Sequence, residues 1–346
     1  MKKLFLVLLG AVMMCALHAQ VVEKDEPALV YYSPKTTVAL DFTYDVTCYE
    51  AGLYAAYAED LIGATNAVKE TKNLYTLGTV RIGTRTNADY DRPHKVTPEA
   101  GVPMLLSINE KNLLVGYNVP FEPKDKNANP SSPKHKEKPS RSMDVAPLPE
   151  EVLTAGNTLA QAHAVAKQIF HLRETRSYLL NGEVEHAPAD GKSMELVLAE
   201  LDKQEKALTE LFVGKKYKKT KHKAVYVEPE KAEKLLFFSE ENGFTDAENI
   251  DADTIKVTLT IEKQQFAAPA EEKKKKNAPA ITQIVYNLPG HSSVNVTYQG
   301  RCLAHRIIDV AQFGIDVPVS KDLFTGNSLP KIVFSEKTGN IISISK

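Results

Sequence analysis

The residue types that a hydrolase would need occur together near the end of the chain. The candidates are His291, Ser292, Ser293, His305, and either Asp309 or Asp316. A serine nucleophile, a histidine base and an orienting carboxylate are recognised by their geometry and not by their order in the chain, so the sequence leaves this set open. The opposing interpretation is that Gly290-His291-Ser292-Ser293 forms an ordinary turn, because serine is common in turns.

The remaining short motifs predict no cofactor and no metal. Gly191-Lys192-Ser193 resembles the end of a phosphate-binding loop, but His186 stands where that loop needs its first glycine. His171 and Glu174 have the spacing of a metal-binding helix motif, yet no second motif completes a site. His-Glu-x-x-His, Cys-x-x-Cys and Gly-x-Ser-x-Gly are also missing from the sequence. We therefore predict no catalytic, cofactor-binding or metal-ligating residues, and an enzyme is the less favoured class.

The strongest local charge feature is a run of lysines that begins at residue 215. It comprises Lys215, Lys216, Lys218, Lys219, Lys221 and Lys223. Lysines along a strand attract phosphate and carboxylate groups, so we identify a candidate anion-contact face formed by Lys216, Lys218, Lys221 and Lys223. The alternative is that these lysines form a solvated strand face with no ligand.

The elements that must position these residues are clearest in the central stretch Leu153–Gly214. Apolar residues recur there at about 100° per residue in Thr158–Leu180 and again in Ser193–Phe212, which predicts two amphipathic helices. Asn181-Gly182 supplies a stop for the first helix, because both residue types tolerate the left-handed conformation. We expect the two helices to run antiparallel as a helical hairpin.

Three charged residues lie within the apolar stripes of these helices. Arg173 and Arg176 belong to the first helix, and Glu205 belongs to the second. In an antiparallel pair, Arg173 lies about one helical turn, ~6 Å, from the level of Glu205. Because a carboxylate on an apolar face is costly unless it is paired, we predict a structural ion pair across the hairpin. The alternative is an arginine that binds a ligand.

The sequence on both sides of the helices is typical of β-structure. Apolar and polar residues alternate in Thr36–Tyr49 and in Ile255–Ile261, which is the period of a half-buried strand. The predicted fold class is α+β, with two antiparallel β-rich modules that flank the helical hairpin. The predicted divisions are a signal peptide at 1–20, an N-terminal module with one short helix at 21–150, the hairpin at 151–216, and a C-terminal module, a sandwich or single sheet, at 217–346. A disordered loop is predicted near 121–141, and a low-complexity, Lys-rich loop is predicted near 268–280.

The first twenty residues predict export. Lys2-Lys3 precedes an apolar run over Leu4–Leu17, and Ala19 is a small residue at which cleavage could occur. Met14 before Cys15 is wrong for lipoprotein processing, so no lipid anchor is expected. No later apolar run reaches the ~20 residues that a transmembrane helix requires. We expect a periplasmic or secreted protein whose signal peptide is removed near Ala19.

Charge and cysteine content narrow the partners further. The 346-residue chain has a formal net charge of -1, which gives no global attraction to nucleic acid. After the signal peptide the cysteines are Cys48 and Cys302. Export permits a disulfide between them, whereas the strand alternation around Cys48 favours a buried free thiol, and the sequence leaves both open.

Several segments read together resemble a known family. They are Tyr31–Thr36, Gly52–Glu59, Ile169–Arg176, Leu180–Glu183, Leu201–Glu205, Glu210–Lys215, Ala311–Gly314 and Lys337–Asn340. The set resembles a family of exported Bacteroidetes proteins known as domain of unknown function 4831, over nearly the whole chain after the signal peptide. The resemblance implies export and this architecture, and it implies no activity, cofactor or site residue.

Three classes of function follow from these observations. The favoured class is a non-catalytic envelope protein that binds or scaffolds another envelope component, either a protein or a glycan. The second is a glycan- or anion-binding module that uses the lysines or exposed tyrosines. The third is an envelope polymer hydrolase. We favour the first because the sequence contains no recognisable reaction centre.

Overall fold

The structure is a computed structural model of the chain. It describes residues 28–97, 104–120, 148, 150–183, 190–246, 252–264, 284–320, 323 and 329–345. The predicted signal peptide and the predicted loops near 121–141 and 268–280 lie outside the described residues. Within the described residues the chain is a mixed α+β protein, mostly β, and its named strands pair antiparallel.

Helices and strands follow one another in an irregular order. The strands are β1 (Leu29–Glu50), β2 (Lys72–Val96), β3 (Leu106–Ile108), β4 (Leu114–Tyr117), β5 (Lys215–Val227), β6 (Glu233–Ser239), β7 (Gly243–Thr245), β8 (Asp253–Lys263), β9 (Val285–Tyr298), β10 (Arg301–Pro318), β11 (Lys331–Phe334) and β12 (Ile341–Ser345). The helices are α1 (Ala58–Ile62), which follows a 3-10 turn at Ala55–Tyr57, α2 (Glu150–Thr154), α3 (Thr158–Asn181) and α4 (Gly191–Val213).

The strands form three sheets in the described part of the chain. Sheet 1 has the order β2-β1-β5, sheet 2 has the order β10-β9-β8-β6-β7, and sheet 3 has the order β12-β11-β4-β3. Sheets 1 and 3 each combine strands from before and after the long helices. The sheets therefore do not follow the predicted division into a 21–150 module and a 217–346 module. A long strand with a fully apolar side, such as β1, is protected when it has a paired strand on each edge. Because β2 pairs with one edge of β1, β5 is needed to pair with the other.

The largest core lies between sheets 1 and 2. Val38, Leu40 and Phe42 of β1 are fully buried in it, as the alternation of the sequence predicts. Val257 of β8 and Val310 of β10 lie in the same cluster, so two sheets pack face to face. Burial of these side chains stabilises the fold by roughly 1.5–3 kcal/mol each.

A second core joins the helices to the loop after β1. Ile169 of α3 and Leu208 and Phe212 of α4 pack there with Tyr54. Asn157 Oδ1 accepts a hydrogen bond from Ala160 N at 2.8 Å and so caps α3, and Gly182, with φ +72°, ends it. Both helices begin and end within two residues of their predicted limits.

A third core lies at the junction of sheets 1 and 3, and strand β9 is longer than a turn near Gly290 would allow. Tyr31, Tyr117 and Ile332 bury the junction of sheets 1 and 3. Strand β9 continues through Pro289 and through Gly290-His291-Ser292-Ser293, the segment that one interpretation of the sequence takes as an ordinary turn. It continues because the neighbouring strand β10 has a bulge at residues 311–314, between the paired residues Val310 and Ile315.

Candidate functional site

Sheet 1 packs one of its faces on the core, and we call the opposite face the outer face. Even-numbered residues of β1 from Val38 to Phe42 are buried, so the odd-numbered ones point outward. Residues directly opposite each other in antiparallel strands share a face. The outer face therefore comprises Lys35, Thr37, Ala39, Asp41, Thr43, Asp45, Thr47 and Tyr49 of β1, Lys216, Lys218, Thr220, His222, Ala224 and Tyr226 of β5, and Lys72, Leu74, Thr76, Arg81, Gly83, Arg85 and Asn87 of β2.

Basic side chains predominate on the outer face. It carries six basic residues, Lys35, Lys72, Arg81, Arg85, Lys216 and Lys218, and two acidic ones, Asp41 and Asp45. The chain as a whole has a net charge of -1. Positive charge is therefore concentrated on this surface, which raises the local concentration of anions beside it.

One contact on the outer face shows how its side chains bind a carboxylate. Asp45 lies 2.8 Å from Lys218 Nζ and accepts a hydrogen bond from Thr220 Oγ1 at 2.7 Å. The Lys218 hydrogen bond, followed by that from Thr220, lowers the pKa of Asp45 below its ordinary value. Lysine and threonine in neighbouring positions thus stabilise a negatively charged oxygen on this face.

Two aromatic residues lie near opposite ends of the outer face, each beside a cation. Lys216 Nζ lies 5.0 Å from the ring centroid of Tyr49, and Arg85 Cζ lies 4.4 Å from that of Tyr226. Tyr226 pairs with Ala39, ten residues before Tyr49 on β1. At ~3.4 Å per residue, the two rings are about 34 Å apart along the sheet. The outer face is therefore long enough to contact an extended polymer at several points.

The structure separates the four lysines of the predicted anion-contact face into two pairs on opposite sides of sheet 1. Lys216 and Lys218 lie on the outer face, but Lys221 and Lys223 pair with Tyr44 and Phe42 and point to the other side of sheet 1. Lys223 Nζ lies 5.8 Å from the Phe244 ring, beside the main core. Side chains alternate along a strand, so residues 216 and 218 cannot share a face with 221 and 223.

Of the predicted hydrolase residues, the structure brings His291 and Asp309 together and places Ser292 on the opposite side of sheet 2. Ser293, on the same side as His291, pairs with Ile307. Ser292 lies within β9 and not in a turn, is fully buried, and donates a hydrogen bond to Thr260 O at 3.0 Å. His291 Nδ1 lies 2.8 Å from Asp309 Oδ1 on the surface. His305, four residues before Asp309 on β10, is also exposed. Burial leaves the Ser292 hydroxyl without access to a polymer substrate.

Asp316 belongs instead to a polar cluster at the meeting point of β1, β2, β9 and β10. We call it the Asp316 cluster, and its members are Ser33, Asp89, Arg92, His94, Asn287 and Asp316. Asp316 Oδ2 accepts a hydrogen bond from Ser33 Oγ at 2.9 Å and lies 3.5 Å from Arg92 Nη1. Asp316 Oδ1 accepts one from Asn287 Nδ2 at 3.0 Å. The cluster links sheets 1 and 2.

Opposing effects set the pKa of Asp316. Burial disfavours its charged form and raises the pKa. The His94 ring, whose Nε2 lies 3.6 Å away, the Asn287 amide, the Arg92 charge and the Ser33 hydroxyl together outweigh burial and lower the pKa to about 2. Asp316 is therefore ionised over the whole physiological pH range, and its charge is held by four different side chains.

The Asp316 cluster contains a serine, a histidine and an aspartate, but not in a catalytic arrangement. Ser33 Oγ lies 2.7 Å from His94 Nε2, and the Asp316 carboxylate approaches the same ring nitrogen. In a catalytic triad the carboxylate binds the other nitrogen. Ser33 is 4% exposed, and the adjacent cavity, of about 20 Å³, has room for roughly one water molecule. We interpret the cluster as a crosslink between strands, which the sequence does not reveal because its members come from four distant segments.

Comparison with known proteins places the chain in a family. The family model named Domain of unknown function (DUF4831) matches residues 28–342. The chain belongs to the DUF4831 family. The match extends from the start of β1 into β12 and confirms the resemblance noted in the sequence. No curated protein and no solved structure matches the chain.

The described residues also show the state of the cysteines and of the Gly191-Lys192-Ser193 motif in this DUF4831 chain. Cys48, buried in β1, and Cys302, exposed on β10, are both free thiols. Asp190 Oδ1 accepts a hydrogen bond from Ser193 N at 2.9 Å, so Gly191-Lys192-Ser193 forms the capped start of α4.

No group of three or more potential metal ligands occurs among the residues described. Likewise, no helix in the described ranges is long and apolar enough to cross a membrane.

The charged residues in the helical stripes lie close together in the DUF4831 chain. Arg173 Nε lies 2.7 Å from Glu205 Oε1, and Arg176 Nη1 lies 2.9 Å from Asp202 Oδ1 and 3.9 Å from Glu205 Oε2. The Arg173 side chain is 40% exposed, so water screens this pair and its contribution to stability is that of a surface ion pair.

Proposed function

We propose that this DUF4831 chain is a non-catalytic binding protein of the cell envelope, and that the outer face of sheet 1 holds an anionic envelope component. The observation that carries the proposal is the excess of basic residues on one exposed sheet face of a chain with net charge -1. The groups recognised are phosphate or carboxylate oxygens on an extended partner. The export signal predicted in residues 1–20 is the basis for the proposed location.

The contacts on the outer face support binding and not turnover. Lys218 and Thr220 already hold one carboxylate, that of Asp45, in the manner expected for an external anion. The aromatic rings of Tyr49 and Tyr226 offer apolar surface beside cations, which suits a glycan that carries acidic groups. A binding role needs only this surface, since it requires no acid, base or nucleophile.

Charge reversal on the outer face tests the proposal. We expect Lys216→Glu/Lys218→Glu to weaken binding to dextran sulfate by on the order of tenfold, because two attractive contacts become repulsive. Binding should be measured by anisotropy of labelled dextran sulfate at several salt concentrations, with neutral dextran as the blank. If the reversed variant is unstable, Lys216→Gln/Lys218→Gln should give a smaller loss in the same direction.

A matched variant separates the outer face from net charge. Lys167 and Lys231 are strongly exposed, at 78% and 69%, and neither belongs to a strand of sheet 1. Lys167→Glu/Lys231→Glu changes the net charge by the same amount, and we expect it to retain nearly all binding to dextran sulfate. Equal losses in the two double variants would mean that only net charge matters, and the proposed site would be abandoned.

We further propose that α3 and α4 form a helical hairpin that carries a structural ion pair. The order of contacts supports this, because Arg173 contacts Glu205 whereas Arg176, one turn later, contacts Asp202, one turn earlier. When the contacting residue numbers increase along one helix and decrease along the other, the two helices are antiparallel neighbours.

Arg173→Leu should lower the free energy of unfolding by only about 0.5–1 kcal/mol, since Arg173 is 40% exposed. Thermal unfolding should show a small decrease in Tm. The swapped variant Arg173→Glu/Glu205→Arg should recover most of the stability that Arg173→Glu loses. Without such recovery, the two side chains do not interact and the proposed ion pair is wrong.

A further inference from the structure

Strand β5 has one free edge. Sheet 1 has the order β2-β1-β5, so β5 pairs with β1 on one side and with no strand of the described residues on the other. Every second residue of an edge strand directs its N–H and C=O groups outward, where another strand can bind them. Near the end of β5, Lys234 Nζ donates a hydrogen bond to Tyr226 O at 3.0 Å.

The lysines of β5 lie on both sides of this edge. Lys216 and Lys218 belong to the outer face, whereas Lys219, Lys221 and Lys223 pair with Val46, Tyr44 and Phe42 and belong to the opposite side. Lys219 and Lys221 are exposed. A polymer that lies on the outer face contacts only the first group. A ligand that contacts both groups must run along the edge and present side chains alternately to the two sides, which is the geometry of a β-strand.

We infer that the free edge of β5 binds an extended acidic polypeptide segment as an additional strand of sheet 1. The main chain of the segment pairs with the outward N–H and C=O groups of β5, and its Glu and Asp side chains meet lysines on both sides. The inference goes beyond the proposed function, because it concerns the edge of β5 and assigns a role to Lys219 and Lys221, which the outer face leaves unused, while it shares Lys216 and Lys218 with that face.

Edge lysines also have a known protective effect. A lysine-rich edge discourages pairing between two copies of the same chain, because like charges would meet across the new interface. The same charges favour a strand of opposite sign. The β5 edge thus selects its partner by charge, rejecting a second copy and accepting an acidic segment.

The test uses a labelled twelve-residue peptide made of three Glu-Glu-Thr-Val repeats, which presents carboxylates on both sides when extended. We expect the wild-type protein to bind it, and Lys219→Glu/Lys221→Glu to bind it roughly tenfold more weakly or worse. The same variant should bind dextran sulfate as the wild type does, because these lysines lie off the outer face. Lys219→Gln/Lys221→Gln serves as the milder variant if charge reversal impairs folding.

A peptide of identical charge isolates the contribution of strand pairing. Methylation of the backbone nitrogens of its four central residues removes their hydrogen-bond donors, and we expect binding to fall roughly tenfold or more. Equal binding of the methylated and unmethylated peptides would overturn the inference. Unchanged peptide binding by Lys219→Glu/Lys221→Glu would also overturn the inference. Self-association of that variant would not alter this conclusion if its peptide binding is unchanged. Loss of dextran sulfate binding in Lys216→Glu/Lys218→Glu bears only on the outer face.

Discussion

Gly314→Ala should lower the free energy of unfolding by roughly 3 kcal/mol. A Cβ at this position would overlap the carbonyl oxygen of Leu288 and lie 2.8 Å from its carbonyl carbon, both of which are backbone atoms of the interior strand β9. Rigid backbone on the neighbouring strand cannot move aside as the end of a flexible side chain can. Urea denaturation followed by circular dichroism should show a lower midpoint with an unchanged slope.

The bulge that contains Gly314 explains why the effect should be large. Gln312 in this bulge accepts a hydrogen bond from Thr36 N at 2.8 Å and donates one to Thr36 O at 2.7 Å. The pairing of β5 with β1 ends at Val38, so the Gln312 amide continues the ladder where β5 has ended. Displacing the bulge breaks these bonds and moves β10 away from sheet 1.

Gly83→Ala is the matched control in a strand of sheet 1. A Cβ at Gly83 would meet only Ala39 O, at 3.8 Å, which is an ordinary contact. We expect the stability of this variant to change by less than about 0.5 kcal/mol. If Gly314→Ala is equally mild, the bulge tolerates a side chain, and its tight approach to β9 does not determine stability.

The local elements of this fold could be predicted from the sequence, and the long-range pairings could not. The apolar alternation of Val38, Leu40 and Phe42 predicts the buried face of β1, because the period of a strand is a property of neighbouring residues. The stop signal at Gly182 predicts the end of α3 for the same reason. The pairing of β1 with β5 depends on which distant strand fills the second side of β1, and alternation within one segment does not contain that information.

The candidate site was partly within reach of the sequence. The lysine run from Lys215 to Lys223 marks β5, and strict alternation would have separated Lys216 and Lys218 from Lys221 and Lys223. The basic residues of β2 were beyond prediction, because their place on the outer face depends on the register of β2 against β1, which shifts between Phe42 and Tyr44. Pro289-Gly290 shows the converse error. It indicates a turn locally, but the bulge of β10 lets β9 continue through it.

Asp316→Asn should destabilise the protein by about 2 kcal/mol near pH 7, the second large effect that we expect. The pKa of Asp316 in the folded chain is about 2, and the ordinary aspartate pKa in an unfolded chain is near 3.9. A carboxyl whose pKa is lower in the folded state stabilises that state fully above the unfolded pKa. This stabilisation is lost progressively as the pH falls from about 5 to about 2. The amide lacks the charge that Arg92 and the other members of the cluster hold, so this stabilisation is absent from the variant.

The pH dependence of stability distinguishes loss of the Asp316 charge from loss of its hydrogen-bond geometry. Urea denaturation midpoints of the wild type and of Asp316→Asn should differ most near pH 7 and approach each other as the pH falls towards 3, because Asp316 becomes protonated in the unfolded wild type. Asp309→Asn is the control, since Asp309 also lies on β10 and also pairs with a histidine, His291, but is 54% exposed. We expect a much smaller difference near pH 7 for it, because its pair is exposed to water. A difference for Asp316→Asn that stays constant down to pH 3 would show that hydrogen-bond geometry, and not the charge held between the two sheets, accounts for the destabilisation.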